Sequence, residues 1–534
     1  MNDSTPPATG QAAPATGRGA PAPATVTGEP DHPTGALSHR QIVTILIGLM
    51  MGMFLAALDQ TIVATAIRTI ADDLKGLNHQ AWATTAYLNT ATIVTPLYGK
   101  LGDIVPPRER AKYQGYFLAV FGTASVLGPV IGGFFAGQET ILGIDGWRWV
   151  FLVNVPIGAA ALAVVSRTLH LTHNRLDHRI DWMGAVLLSV ALVPLLLVAE
   201  QGREWGWTAV SSTTCYVIGV IGVIGFFWQE WRMKEEAILP LKMFTNKTVG
   251  VSSAASVLIG VAMFGGLAAL PLYLQIVKGA TPTEAGLLLL PMTLGIMFGS
   301  ILSGQIISRT GRYRMFPIIG SALLAASLFI FHYVEFDTPL WQTMIVMLAF
   351  GIGLGFNFQP LTLAVQNAVP PQQIGVATST ATFTRQIGGA LGTAVFLSIL
   401  FSTAGEKITA ALRAAVPTPD FQAALADPAN AAVAAQLKAA QAGGGSGAAS
   451  GVLQDSSFLN GLDERIAKPF LMGFSQAMDT VFLVGSAVMV VGFLVMLMLP
   501  HVELRKGSAY GDRAKAEGEA AEATSDNAPV VAPH

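Results

Sequence analysis

Twelve apolar runs follow one another along the chain, at about residues 41 to 67, 81 to 99, 113 to 137, 149 to 167, 182 to 199, 212 to 230, 249 to 277, 285 to 307, 315 to 333, 341 to 365, 378 to 402 and 478 to 500. Each is close to the roughly 20 residues that carry an α-helix across a bilayer. The pattern predicts an all-α membrane protein of about 12 transmembrane helices, and their even number puts both termini on one side. Lys and Arg decide which side. Fourteen stand in short loops on one face, from Lys100 to Arg314, against Lys75, Arg148, Arg203 and Lys278 on the other. Basic short loops stay in the cytoplasm, so both termini are expected there, in a multi-pass protein of the cell membrane.

The polar intervals divide the chain further. Residues 1 to 39, rich in Pro, Ala, Thr and Gly, read as a disordered cytoplasmic tail rather than a signal peptide. Residues 40 to 167 hold four spans, 168 to 247 a linker pair with its loops, and 248 to 402 five more. Residues 403 to 477 are expected as a long extracellular loop, Ala-rich with a Gly hinge at 443, in which pieces such as 421 to 441 have helix-forming composition. The last span, 478 to 500, precedes a second cytoplasmic tail, 501 to 534.

Composition agrees, with 52% hydrophobic and 12% charged residues and a mean hydropathy of +0.53. Soluble domains carry about 25% charge. A net charge of -2 gives no bulk field for a nucleic-acid partner. The single cysteine, Cys215, excludes an internal disulfide. The Gly-rich run at 443 lacks the Lys and Ser or Thr of a phosphate-binding loop. His170, His173 and His178 have no Cys or acidic cluster beside them. No catalytic nucleophile stands in a recognisable setting, so neither an enzyme nor a cofactor is expected. The expected partners are a small-molecule cargo, protons and the lipid bilayer; the oligomeric state is not set by the sequence.

An internal repeat organises the spans. Val105, Pro106, Pro107, Arg108 precede an apolar helix with Gly128, and Val369, Pro370, Pro371, Gln372 precede one with Gly392, each pair 264 residues apart. A second pair of loops, Gly99 to Asp103 and Gly304 to Arg312, comes before them. Two related halves mark a transporter whose site lies at the repeat interface.

Three further segments are distinctive: Leu58, Asp59, Gln60, Thr61, Ile62, Val63; Gly128, Pro129, Val130, Ile131, Gly132, Gly133; and Trp147 through Pro156. Together with the repeat, they resemble the major facilitator superfamily, and within it the fourteen-span drug:proton antiporter branch of the EmrB/QacA type. The resemblance covers roughly residues 40 to 500. It implies a helical bundle of two pseudo-symmetric halves that exports small amphipathic or hydrophobic compounds against protons by alternating access. The chain departs from that pattern in one place. Gly304 and Val369 are 65 residues apart but Gly99 and Val105 only 6, so the third and fourth spans of the family are expected to be absent.

Candidate residues follow from chemistry and resemblance. Asp59, a carboxylate inside the first span, suits proton binding and release; the competing assignment is a structural carboxylate bonded to a neighbouring helix. Arg385, at bilayer depth in the eleventh span, is expected either to tune that proton step or to receive cargo. Gly99, Gly102 and Asp103 match the start of the family's gating loop. Gly128, Pro129, Gly132 and Gly133 form its antiporter helix motif, with generic helix packing as the alternative. Met50, Met53, Phe54, Asn357, Gln359 and Gln366 are candidate cavity residues. The rival to an exporter is a membrane protein inactive in transport because two helices are missing.

Overall fold

The structure, a computed structural model, describes residues 39 to 76, 123 to 124, 127 to 168, 181 to 370, 373 to 430 and 462 to 502, with Ala435, Ser456 and Leu459. The described residues are helical almost throughout. In the first half, α1 (His39–Asp73) is unbroken and α2 (Leu127–Ala136) follows. A two-residue hairpin, β1 (Thr140–Ile141) with β2 (Ile144–Asp145), turns the chain into α3 (Trp149–Leu152) and α4 (Asn154–Thr168).

The linker helices α5 (Trp182–Trp205) and α6 (Val210–Met233) form an antiparallel pair. Asp181 caps α5 by accepting from the Gly184 amide at 2.8 Å, and the same oxygen accepts from Gln229 Nε2 at 2.9 Å, which ties the foot of α6 to the cap. The outward face of α6 is apolar, with Val220, Ile221, Ile224, Trp228 and Trp231 exposed. Such a surface suits lipid, with tryptophans toward one end.

The second half comprises α7 (Lys247–Leu272), α8 (Pro282–Leu288), α9 (Leu290–Thr310), α10 (Met315–Phe331), α11 (Leu340–Asn367), α12 (Ile374–Ala415), α13 (Pro419–Ala426) and α14 (Glu464–Leu497). Local sequence explains most of the boundaries. Asn246 caps α7 through the Thr248 amide, and Thr281 with Glu284 makes a capping box that starts α8 with Pro282 in its first turn. Gly311, at φ 69°, ends α9 in the left-handed conformation that glycine tolerates best. Pro271 lies near the end of α7, which passes into a π-helical turn at Tyr273–Val277.

Among the described residues, nine helical stretches are long and apolar enough to cross a membrane, and α2 and α10 are shorter apolar helices. The run at 81 to 99 lies outside the described residues. The segment expected as loop from residue 403 is helical as far as Ala415, again in α13, and from Glu464 onward. Its buried residues explain this: Ile408 and Leu412 of α12 recur at helical spacing and meet Ile466, Phe470 and Phe474 of α14. That stripe is too narrow to register as an apolar run.

The two halves repeat one packing motif. In the second, a Cβ on Gly388 or Gly392 of α12 would strike the backbone of α7 at Val257 or Val261. In the first, a Cβ on Gly128 or Gly132 of α2 would strike α1 at Thr61 or Ile62. Small residues let each pair of backbones approach closely. The linker pair sits on the second half, where Ala185 and Leu188 of α5 bury against Phe383 of α12.

Candidate functional site

Helix α1 presents two chemically different faces at one depth. On one, Asp59 is half-buried and its Oδ1 accepts from Asn154 Nδ2 of α4 at 2.6 Å. This contact joins two of the segments distinctive in the sequence. Asn154 Oδ1 is buried and makes no hydrogen bond among the described residues, so the amide keeps one acceptor in reserve. On the other face, Thr61 and Ala64 line a narrow cavity closed by Pro129 of α2, Met263 of α7, Met292 of α9 and Phe358 of α11.

Helix α2 is wedged between the halves. Gly128 and Gly132 seat it on α1; on its other side a Cβ at Gly133 would strike the Pro282 carbonyl, and one at Gly286 the Pro129 carbonyl. Thr283 Oγ1 donates to the Gly133 carbonyl at 3.0 Å across the seam. The four motif residues therefore stand at a seam between halves as well as within one. Pro129 withholds an amide from the helix at the cavity wall, a place where a helix bends readily.

A polar cluster joins the halves at the end of the bundle where α1 finishes. Buried Arg68 donates to the Gln275 carbonyl at 2.5 Å and through Nε to Ser456 Oγ at 2.9 Å, and lies 3.4 Å from Asp72. Asp72 accepts from the Ser456 amide at 2.9 Å and its hydroxyl at 2.8 Å. Gln275 Nε2 returns a bond to the Thr65 carbonyl at 3.0 Å. The first helix of each half and the long connection before α14 thus share one network. Nearby, Lys278 Nζ donates to the carbonyls of Glu335, Phe336 and Thr338. Burial pushes this lysine below its ordinary range while Asp337 opposes the shift.

The other sequence candidates fall in different places. Arg385 is half-buried, makes no ion pair with Asp59 and has its guanidinium 4.8 Å above the ring of Phe358. Phe54 packs against Ala57, Leu58 and Ala124 in the first half, and Met50 is half-buried. Asn357 is fully buried, donating to the Gly353 carbonyl of its own helix at 2.7 Å where Gly320 of α10 approaches it. Gln366 donates to Thr378 Oγ1 at 2.8 Å and ties α11 to α12. Gln359 is half-buried beside Phe358 in sequence, and it is Phe358 that lines the cavity. Gly99, Gly102, Asp103 and the side chain of Met53 lie outside the described residues. The residues that sequence reasoning missed are Asn154, Arg68, Asp72 and Ser456. Arg68 and Asp72 carried a signal, opposite charges at i,i+4 on a helix otherwise predicted to be membrane-embedded.

Membrane-crossing helices in two pseudo-symmetric halves, closing on a cavity between them, define a transporter. Comparison with known proteins specifies the family. Residues 101–393 match the Major Facilitator Superfamily. An uncharacterized MFS-type transporter of Mycobacterium tuberculosis (strain ATCC 25618 / H37Rv) is 30% identical over 518 aligned positions, which cover 86% of this chain and 70% of that protein. The tetracycline resistance determinant of Streptomyces rimosus is 35% identical over 326 positions, 60% of this chain and 92% of that protein. A solved bacterial homolog of the human lysosomal transporter Spinster superposes with a TM-score of 0.53 at 13% identity, over 88% of this chain and 100% of that one, a likeness of fold alone. The chain belongs to the Major Facilitator Superfamily and is a multi-pass membrane transporter, not an enzyme. Since 86% of 534 residues is about 459, the 518 positions aligned with the mycobacterial relative include about 59 at which this chain has no residue.

Proposed function

We propose that this chain is a proton-coupled drug exporter of the fourteen-span branch, lacking that branch's third and fourth spans. It moves small amphipathic or hydrophobic compounds out of the cell by alternating access. The observation that carries the reading is the two-faced α1: a carboxylate on one side, an apolar cavity on the other, and the glycine-proline helix α2 packed against the same turn. The Streptomyces relative's name supports a drug as cargo. The roughly 59 unmatched positions are about as many as the internal repeat's difference, which supports the missing pair. The excess of basic loops supports a cell-membrane protein with both termini in the cytoplasm.

The coupling follows from the Asp59–Asn154 contact. A charged Asp59 accepts from the Asn154 amide nitrogen; a protonated Asp59 donates to the Asn154 oxygen once the amide turns over. One partner therefore offers Asp59 a hydrogen bond in either protonation state. Because α1 also forms the cavity wall and contacts α2, a change at Asp59 moves the helix that touches both cargo and seam.

Reconstituted vesicles with a pH gradient test this, using tetracycline as cargo. One proton moved through 100 mV supplies about 2.3 kcal/mol, equivalent to about fifty-fold accumulation. Asp59→Asn is expected to equilibrate cargo without accumulating it. Accumulation by Asp59→Asn would overturn the proton assignment, and absence of any flux through correctly folded wild-type protein would favour an inactive chain.

A further inference from the structure

The cavity wall specifies a cargo charge. Its two hydroxyls are already committed: Thr61 donates to the Ala57 carbonyl at 3.0 Å, and Thr293 to the Leu289 carbonyl at 3.4 Å. The rest of the described lining is Met, Leu, Ile, Ala, Pro and Phe, with no carboxylate among it. Asp59 is engaged by α4 on the opposite side of α1. The sequence from 81 to 99 and from 113 to 126 contains no Asp, Glu, Lys or Arg. Among the described residues one charged group adjoins the wall: Arg385, whose guanidinium lies 4.8 Å from the centre of the Phe358 ring. Among the described residues it has neither a carboxylate partner nor a hydrogen bond. A guanidinium at bilayer depth is stabilised by a carboxylate or carbonyl partner.

We propose, resting on the exporter reading of this cavity, that it accepts neutral and anionic amphiphiles and rejects lipophilic cations, with Arg385 as the specificity-determining residue. A cationic cargo finds no carboxylate to replace its hydration. It also meets a phenyl ring already engaged by the Arg385 guanidinium, which weakens the attraction aromatic rings normally offer. An acidic cargo gains the counter-charge interaction that Arg385 lacks, while a neutral one is held by the apolar wall.

Binding separates this idea from transport. Wild-type protein in nanodiscs is titrated with 8-anilinonaphthalene-1-sulfonate, Nile red and ethidium, with empty nanodiscs subtracted. The expected result is binding of the anionic and neutral dyes at least about tenfold tighter than ethidium, a gap of about 1.4 kcal/mol. In Arg385→Gln the anionic dye is expected to weaken about tenfold while Nile red stays within about twofold. Thr293→Asp, which puts a carboxylate in the wall, is expected to raise ethidium affinity. Ethidium bound by wild type as tightly as the sulfonate overturns the proposal without reference to any variant. So does an Arg385→Gln effect that is equal for all three dyes. Ethidium export from reconstituted vesicles overturns the proposal but leaves the exporter reading standing; selective binding of the sulfonate with no flux of any dye does the reverse.

Discussion

The two halves use one contact and enclose it differently. In each, a stripe of small residues seats a later helix on the first helix of its half, α2 on α1 and α12 on α7. Yet within the most apolar stretch, 72% of the residues of α7 are buried against 40% in α1. The last spans differ likewise, 39% in α14 against 11% in the Gly146–Val164 stretch that runs through α3 into α4. The second half brings α7, α9 and α11 to the cavity and packs α10 against α11; the first is the half proposed to lack two spans. Close backbone packing thus survives where the surrounding cover is thin, because it depends on the pair of helices in contact and not on their neighbours.

The largest effect expected from this comparison is at the seats themselves. Gly388→Leu forces a side chain into the Val257 backbone within the more deeply buried of the two pairs. Overpacking commonly costs about 1–3 kcal/mol and more where relaxation is blocked, so this substitution is expected to cost about 3 kcal/mol or more and to abolish a monodisperse species in size-exclusion chromatography. Gly132→Leu strikes the Ile62 carbonyl in the same manner, but α1 has a less covered flank into which to move. About half the cost is expected for it. Equal losses in thermal unfolding would show that the first half is as tightly enclosed as the second, by contacts beyond the described residues.

The polar cluster at the end of α1 is the next test, since it joins the halves where their packing differs most. Arg68→Leu removes the group that links the Gln275 carbonyl to Ser456 and leaves Asp72 with only Ser456 among the contacts described above. Breaking a buried pair costs up to about 3–5 kcal/mol, and about 2 is expected here because Asp72 keeps two donors. The readout is access to the cavity from this end. With Thr61→Cys in a Cys215→Ser background, labelling by an impermeant thiol reagent is expected to rise about tenfold in Arg68→Leu. Unchanged labelling would mean that the cluster stabilises the fold without closing this end.

The halves were also unequally legible before the structure was known. The fold class followed from apolar run length alone, because lipid demands the same length of every helix. Asp59 stood out for the same reason, as an ionisable group where hydrocarbon tolerates few. Its partner Asn154 did not, since a neutral amide costs little enough to be ordinary in a span. The cavity lining was not legible for a geometric reason: Met and Phe at 50 to 54 satisfy the chemistry of a flexible apolar wall, but helix rotation turns Phe54 toward Ala57 and Ala124, and the described methionines on the cavity between the halves are Met263 and Met292. Helix orientation about its own axis is set by contacts between segments far apart in sequence. The helical ends of the 403 to 477 segment escaped notice because they bury against each other, a pairing that hydropathy along one strand of sequence does not encode.

The smallest expected effect bears on what holds the halves together at α2. Two features meet at Gly133: the hydrogen bond from Thr283 Oγ1, and a backbone approach so close that a Cβ would collide with the Pro282 carbonyl. Thr283→Val deletes the bond and keeps the shape. The Gly133 carbonyl keeps another partner, the Gly137 amide at 2.9 Å, so no acceptor is left bare. A net loss of about 1 kcal/mol or less is expected, visible as a shift of a few degrees at most in unfolding temperature. Gly133→Ala keeps the bond's donor and violates the shape, and is expected to cost more than Thr283→Val despite adding only one methyl group. If the order were reversed, the seam would be held by its hydrogen bond, and sliding of α2 past α8 would need that bond to break. With the expected order the seam is a fitted surface, able to slip by small steps while Thr283 exchanges one carbonyl for another, which is the mechanical property that alternating access requires of it.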